Sequence, residues 1–247
     1  MGLTIHYSLQ AQGDESHAHS IITALHQAAG DLPFKHIGDI VYLSGRACRL
    51  DGHDNDDSLS WLICQANRSI QVDGAYVDVI PEQIVAFIAW PGEGCEEANF
   101  GLCQYPETVE HRGERIPTDL PGWTWRSFCK TQYASNPTHG GAQNFLRCHL
   151  SVIALLDKAK ALGCLKEVKD EGKFWENRNI EQLTNEVGSW NQMIAALGGR
   201  LKDLLGDGVD TAIAGFPNFE QLEAAGQSQL PPESEQLAQL IKRVLKQ

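Results

Sequence analysis

The chain lacks several things, and each absence narrows what it can be. No apolar run approaches the roughly 20 residues a membrane span needs. The opening Met1-Gly2-Leu3-Thr4-Ile5-His6 has neither the basic region nor the long apolar stretch of a signal peptide. His6 also stands where a myristoylation signal requires Ser or Thr. Basic residues are scarce, 20 Lys and Arg against 32 Asp and Glu, for a net charge of −12. No basic cluster is longer than Lys242-Arg243, so a phosphate backbone would be repelled and no nucleic-acid partner is expected. The seven cysteines are odd in number and show no CxxC spacing, which argues against a secreted disulfide framework. They read as reduced thiols in a cytoplasmic protein. No two histidines stand four apart as in HExxH, and His17 and His19, two apart, point to different sides of a helix. Residues 51–57 are rich in oxygen ligands but lack the sixth-position glycine and distal glutamate of an EF-hand, so a solvated acidic turn is expected. No metal or cofactor follows from any of these patterns, and internal repeats and low-complexity tracts are absent.

What is present is enough chain for a self-sufficient core. At 247 residues, folding removes well over half of the unfolded surface from water without needing disulfides or metal. Residues 1–135 read mainly as β. Leu3, Ile5, Tyr7 and Leu9 alternate with polar residues, the period of a half-buried strand. Asp14 can cap a helix through about Ala29, whose stripe is Ala18, Ile21, Ile22, Leu25, Ala28 and Ala29. A second strand is expected over 37–43, giving a strand–helix–strand opening. Residues 84–90 are apolar on both alternating faces, as a central strand would be. Arg112-Gly113 fits a tight hairpin, and residues 123–134 read as the last strand of this half.

From 143 to 205 the pattern is mainly helical. One helix runs from Phe145 to Leu162 with Gly163 as its stop. Asn179 followed by Gln182 resembles a capping box. It opens a 3,4-spaced seam from Ile180 to Leu204, read as a long helix packed on the sheet, with a coiled-coil dimer as the alternative. The expected fold is α+β: a mixed or antiparallel sheet, ferredoxin-like in one version, covered by C-terminal helices. Residues 1–205 would form one domain, and 206–247 a connector and an amphipathic tail striped by Leu237, Leu240, Ile241, Val244 and Leu245.

Residues 123–135 hold the densest set of reactive side chains. On a continuous strand Arg126, Phe128, Lys130 and Gln132 share one face, where Lys130 and Arg126 would clamp an anion. Ser127, Cys129, Thr131 and Tyr133 share the other. Cys129 is a candidate nucleophile if His139 or His149 activates it, though a mid-strand cysteine is ordinarily a small buried residue. Asp170 and Glu171, just past a short apolar piece, would complete a charge-complementary site if they face Lys130. The plainer reading of each is a solvated strand face and a solvated turn.

Residues 2–9 (GLTIHYSL), 127–135 (SFCKTQYAS) and 145–149 (FLRCH), with the later Asp170-Glu171-Gly172 and Phe174-Trp175, resemble a family of bacterial proteins over most of residues 1–205. The resemblance implies bacterial origin and a cytoplasmic location, and it brings no reaction, cofactor or catalytic residue. Two expectations follow. One is an enzyme or ligand-binding protein whose polar cleft takes a small anionic molecule, lined by His6, Arg126, Lys130, Gln132, Tyr133, His149, Asp170 and Glu171. The other is an interaction protein, a homo-oligomer or a partner-binding module, that uses its acidic surface and C-terminal helix.

Overall fold

The computed structural model describes residues 3–50, 58–205 and 212–227. Strand β1 (Thr4–Ala11) leads into helix α1 (Glu15–Gly30), then β2 (His36–Ile37) and β3 (Val41–Ser44). Helix α2 (Ser58–Ala66) precedes the hairpin β4 (Arg68–Val72) and β5 (Ala75–Val79), then β6 (Gln83–Trp90) and β7 (Ala98–Gln104). A second hairpin, β8 (Thr108–His111) and β9 (Glu114–Pro117), is followed by β10 (Trp123–Lys130). Helix α3 (Gly141–Ala161), strand β11 (Leu165–Asp170) and helices α4 (Phe174–Asn177), α5 (Ile180–Leu205) and α6 (Phe219–Gly226) complete the α+β architecture.

The main sheet has the order β11-β1-β10-β7-β6-β2, with β3 also paired to β6, and every pairing is antiparallel. Alternating directions along this order make β1 and β2 parallel, so the opening strand–helix–strand unit is a crossover, but one that spans three intervening strands, β10, β7 and β6. Local chemistry explains the element ends. The Asp14 carboxylate accepts from His17 N at 2.9 Å, satisfying a first-turn amide of α1. Arg112 and Gly113 both have positive φ, 53° and 85°, the backbone a two-residue hairpin requires. Asn179 Oδ1 accepts from Gln182 N at 3.0 Å ahead of α5. Strand β6 is buried along both faces, as its continuous apolar sequence requires, with Phe87 stacked on Phe100 of β7.

Two strand readings are corrected. The strand expected over 37–43 is split: the β2 register against β6 runs to Gly38 N, which bonds to Ile88 O, and pairing resumes at Val41–Ala86 shifted by one residue. The strand expected over 123–134 ends at Lys130. Thr131 N donates to Leu3 O, Gln132 Oε1 accepts from Leu3 N at 3.0 Å, and residues 132–135 coil into a 3₁₀ turn. Alternation beyond Lys130 therefore no longer places Gln132 on the Arg126 face.

Helix α5 rests against α3, α4 and α6. A Cβ at Gly226 would overlap Gln192 O, so the approach of α6 to α5 depends on glycine there. The tail stripe from Leu237 onward and the acidic loop 51–57 lie outside the described residues. Among the described residues, no helix is long and apolar enough to cross a membrane.

Candidate functional site

The register of three adjacent strands builds one wall of a groove. His6 lies opposite Phe128 on one side and Lys169 on the other; Ser8 lies opposite Arg126 and Glu167. Because successive residues of a strand alternate faces, these six share a face that leaves His6, Phe128 and Arg126 exposed. Helix α2 supplies the other wall through Trp61, Cys64 and Gln65, with Asn67 and Arg68 just beyond it. The cavity between them measures about 1050 Å³, at the upper end of the roughly 300–1,000 Å³ of ligand sites.

The floor lies where the sheet is locally open. Strands β10 and β7 are in register only at Trp123–Gln104 and Thr124–Cys103; near the other end Glu96 N bonds to Lys130 O. Between those points side chains cross the gap. Tyr7 Oη and Trp125 Nε1 both donate to Asn99 O, at 2.7 and 2.8 Å. Asn99 Nδ2 and Ser127 Oγ both donate to Gln65 Oε1, at 2.9 and 3.1 Å. Burial raises the Tyr7 phenol well above its ordinary range, which keeps it a donor.

Four polar atoms of the groove's walls are buried without any hydrogen-bond partner: Ser8 Oγ, Asn67 Oδ1, Arg68 Nη2 and Asn99 Oδ1. Arg68 shows the contrast within one side chain, since its Nη1 donates to Gln65 O at 2.9 Å while Nη2 has no acceptor. An unsatisfied buried donor or acceptor costs about 1–3 kcal/mol. Charges of both signs line the groove, Arg68, Arg126 and Lys169 against Glu96, Glu97 and Glu167. Two large rings stand exposed there, Trp61 at 62% and Phe128 at 43%.

The other expected site residues lie elsewhere. His149 and Asp170 do meet, inside the protein: His149 Nε2 is 3.2 Å from Asp170 Oδ2, and His149 Nδ1 is 2.9 Å from Thr131 Oγ1. Asp170 also accepts from Gly172 N at 2.8 Å and Trp175 N at 3.0 Å. Burial alone would raise this carboxyl. The His149 hydrogen bond and charge, with the two amides, outweigh it and hold Asp170 below its ordinary range. The order of groups resembles a hydroxyl–imidazole–carboxylate relay, yet Thr131 and His149 are completely buried and none of the three lines the groove. Gln132 is equally buried, its Nε2 donating to Asn191 Oδ1 at 2.9 Å.

Lys130 does not join Arg126. Its ammonium sits 4.5 Å from the centroid of the Tyr133 ring, outside the groove lining. Asp170 therefore answers His149 rather than Lys130, and Glu171 Oε2 accepts from Thr4 N at 3.0 Å. Cys129 is completely buried with its thiol donating to Glu96 O at 3.2 Å; burial pushes it well above the usual thiol range, which is unfavourable for a nucleophile. Of the expected set, His6 and Arg126 reach the groove. Trp61, Gln65, Asn67, Arg68 and Asn99 are the residues sequence reasoning missed. Their one local signal was three polar side chains, Gln65, Asn67 and Arg68, bunched at the end of a short apolar helix.

Among the described residues no cluster of three or more His, Cys, Asp or Glu side chains has the geometry to hold a metal. Comparison with protein families, curated proteins and solved structures found no match for the chain.

Proposed function

We propose that the protein binds an anionic small molecule in the groove between α2 and the β11-β1-β10 face. The observation that carries this is the concentration of unpartnered buried polar atoms in one set of walls, Ser8 Oγ, Asn67 Oδ1, Arg68 Nη2 and Asn99 Oδ1. Native interiors leave few such groups, and those that persist call for a reason. A ligand whose binding shifts the side chains over these atoms, offering an acceptor to Arg68 and donors to Asn67 and Asn99, would remove the penalty. Arg126 and Lys169 supply positive charge for an acid group, and the exposed rings of Trp61 and Phe128 supply flat apolar surface. The class that meets all three demands is a planar, hydrogen-bonding heterocycle carrying a carboxylate or phosphate.

Thermal denaturation of the full chain with adenosine monophosphate, succinate or inorganic phosphate tests this. Ligand that binds only the native state stabilises it by about 2.7 kcal/mol at a concentration 100 times Kd. Adenosine monophosphate should raise Tm more than the two smaller anions, and Arg126→Ala should abolish the rise. No shift with any of the three, or an equal shift in Arg126→Ala, would overturn the reading.

A further inference from the structure

Gln65, near the end of α2, ties the groove's unpartnered groups together and sets which atom each of them presents. Its side-chain Oε1 accepts from Asn99 Nδ2 at 2.9 Å and from Ser127 Oγ at 3.1 Å. The Asn99 amide is thereby turned so that its carbonyl, Oδ1, is the end left without a partner. Asn99 is only 3% exposed, so water does not make up the loss freely. The main-chain O of Gln65 accepts from Arg68 Nη1 at 2.9 Å, and Asn67 O accepts from the same nitrogen at 3.3 Å. That fixes the guanidinium with Nη2 as the end left over. Asn67, next to Arg68 in the chain, likewise presents its Oδ1.

The polarity of this set is selective. An amide carbonyl only accepts and a guanidinium nitrogen only donates, so the unmet demand is for one acceptor and two donors. The fourth atom, Ser8 Oγ, can do either and selects nothing. Among planar heterocycles, one acceptor and two donors stand side by side where a ring carbonyl, a ring N–H and an exocyclic amine follow one another. This is the 2-amino-oxo edge of guanine and of pterins. Adenine offers one acceptor and one amine, which leaves one asparagine carbonyl unpaired. Cytosine offers two acceptors and one amine, which is the wrong balance.

We propose that the groove recognises this 2-amino-oxo edge. The ring carbonyl accepts from Arg68 Nη2, and the ring N–H and the amine donate to the Oδ1 atoms of Asn67 and Asn99. The inference rests on the small-molecule reading of the groove, including the side-chain shift that binding requires, and names the heterocycle within it. Arg126 and Lys169 remain for the acid group, and Trp61 and Phe128 for the face of the ring. A site built to hydrogen-bond a group rejects the analogue that lacks it, because a buried partner is then left unpaired.

Two pairs of compounds isolate that contact in calorimetric titrations of the full chain. Guanosine monophosphate and inosine monophosphate share the carbonyl, ring N–H, ribose and phosphate, and differ in the amine alone. Pterin-6-carboxylate and lumazine-6-carboxylate carry an amine and an oxygen at the corresponding position. In at least one pair the amino compound should bind roughly 5–150-fold tighter, the ~1–3 kcal/mol of one unpaired buried group at about 1.4 kcal/mol per tenfold. The pair that shows the preference tells a purine from a pterin. Either Asn67→Ala or Asn99→Ala should bring that ratio close to one, and a ratio taken within one variant does not depend on its stability. Equal affinities within both pairs, or a preference that survives both variants, would overturn the inference and leave the groove reading standing. No binding of any of the four, nor of adenosine monophosphate, would overturn both. The comparison in the wild-type chain decides the matter even if a variant fails to fold.

Discussion

Two polar regions lie one strand position apart, and they are built on opposite principles. Ile5 pairs with Cys129 and with Asp170, on the side where Asp170 meets His149; His6 pairs with Phe128 and Lys169, on the side that opens into the groove. In the buried region the groups are matched. With Asp170 ionised, His149 donates to it through Nε2 and hydrogen-bonds Thr131 through Nδ1, while Gly172 and Trp175 amides complete the carboxylate. In the groove, four polar atoms are matched to nothing. The contrast teaches that side chains resembling a catalytic relay can be a packing solution. A low-dielectric interior makes such a network worth much when complete and costly when broken.

The largest effect expected from breaking this contrast is on the buried side. Asp170→Ala leaves His149 Nε2 and two amides without their acceptor, and should cost roughly 3–5 kcal/mol, the usual consequence of removing one partner of a buried pair. Urea denaturation measures it, and a loss below 1 kcal/mol would mean the network does not hold the fold. Next comes Gly226→Ala, which forces a methyl group against Gln192 O and should cost about 1–3 kcal/mol by overpacking. The same denaturation curves check it.

A pH series sharpens the comparison further. The folded Asp170 pKa lies below its ordinary 3.8, so the native state favours the ionised form. That contribution is fully present above the ordinary value and is lost as pH falls through the lower folded value. The stability gap between wild type and Asp170→Asn should therefore be constant near neutral pH and narrow on acidification below about 3.8. A gap that widens in acid would reverse the assigned sign. The smallest stability effect belongs to the groove: Arg126→Ala should change ΔG by no more than about 0.5 kcal/mol, as surface substitutions do. It should nevertheless remove the response to adenosine monophosphate.

How much of this was legible in the sequence depended on distance along the chain. Strand β1, helix α1, the Arg112-Gly113 hairpin and the Asn179 cap are local, and their periodicity or turn chemistry stated them directly. The end of β10 was not local. It is set by Leu3, whose amide bonds to Gln132 129 positions away, and alternation read through residue 132 could not anticipate that. The pairing of His149 with Asp170 was out of reach for the same reason, although each residue was a candidate by itself. The groove draws on β1, α2, β10 and β11, so no window of sequence contains it. Its most informative feature, a set of polar atoms without partners, exists only once the chain has folded.

The central claim, that the groove is reserved for a ligand while the buried network serves the fold, makes opposite predictions for two small substitutions. Ser8→Ala removes a buried hydroxyl with no partner, and Thr131→Val removes one bonded to His149. Deleting an unsatisfied group is neutral or stabilising, whereas deleting one partner of a buried hydrogen bond costs about 1–3 kcal/mol. Calorimetric melting of the two variants beside the wild type should find Tm unchanged or raised for Ser8→Ala and lowered for Thr131→Val. A clear loss in Ser8→Ala together with an unaffected Thr131→Val would contradict the account.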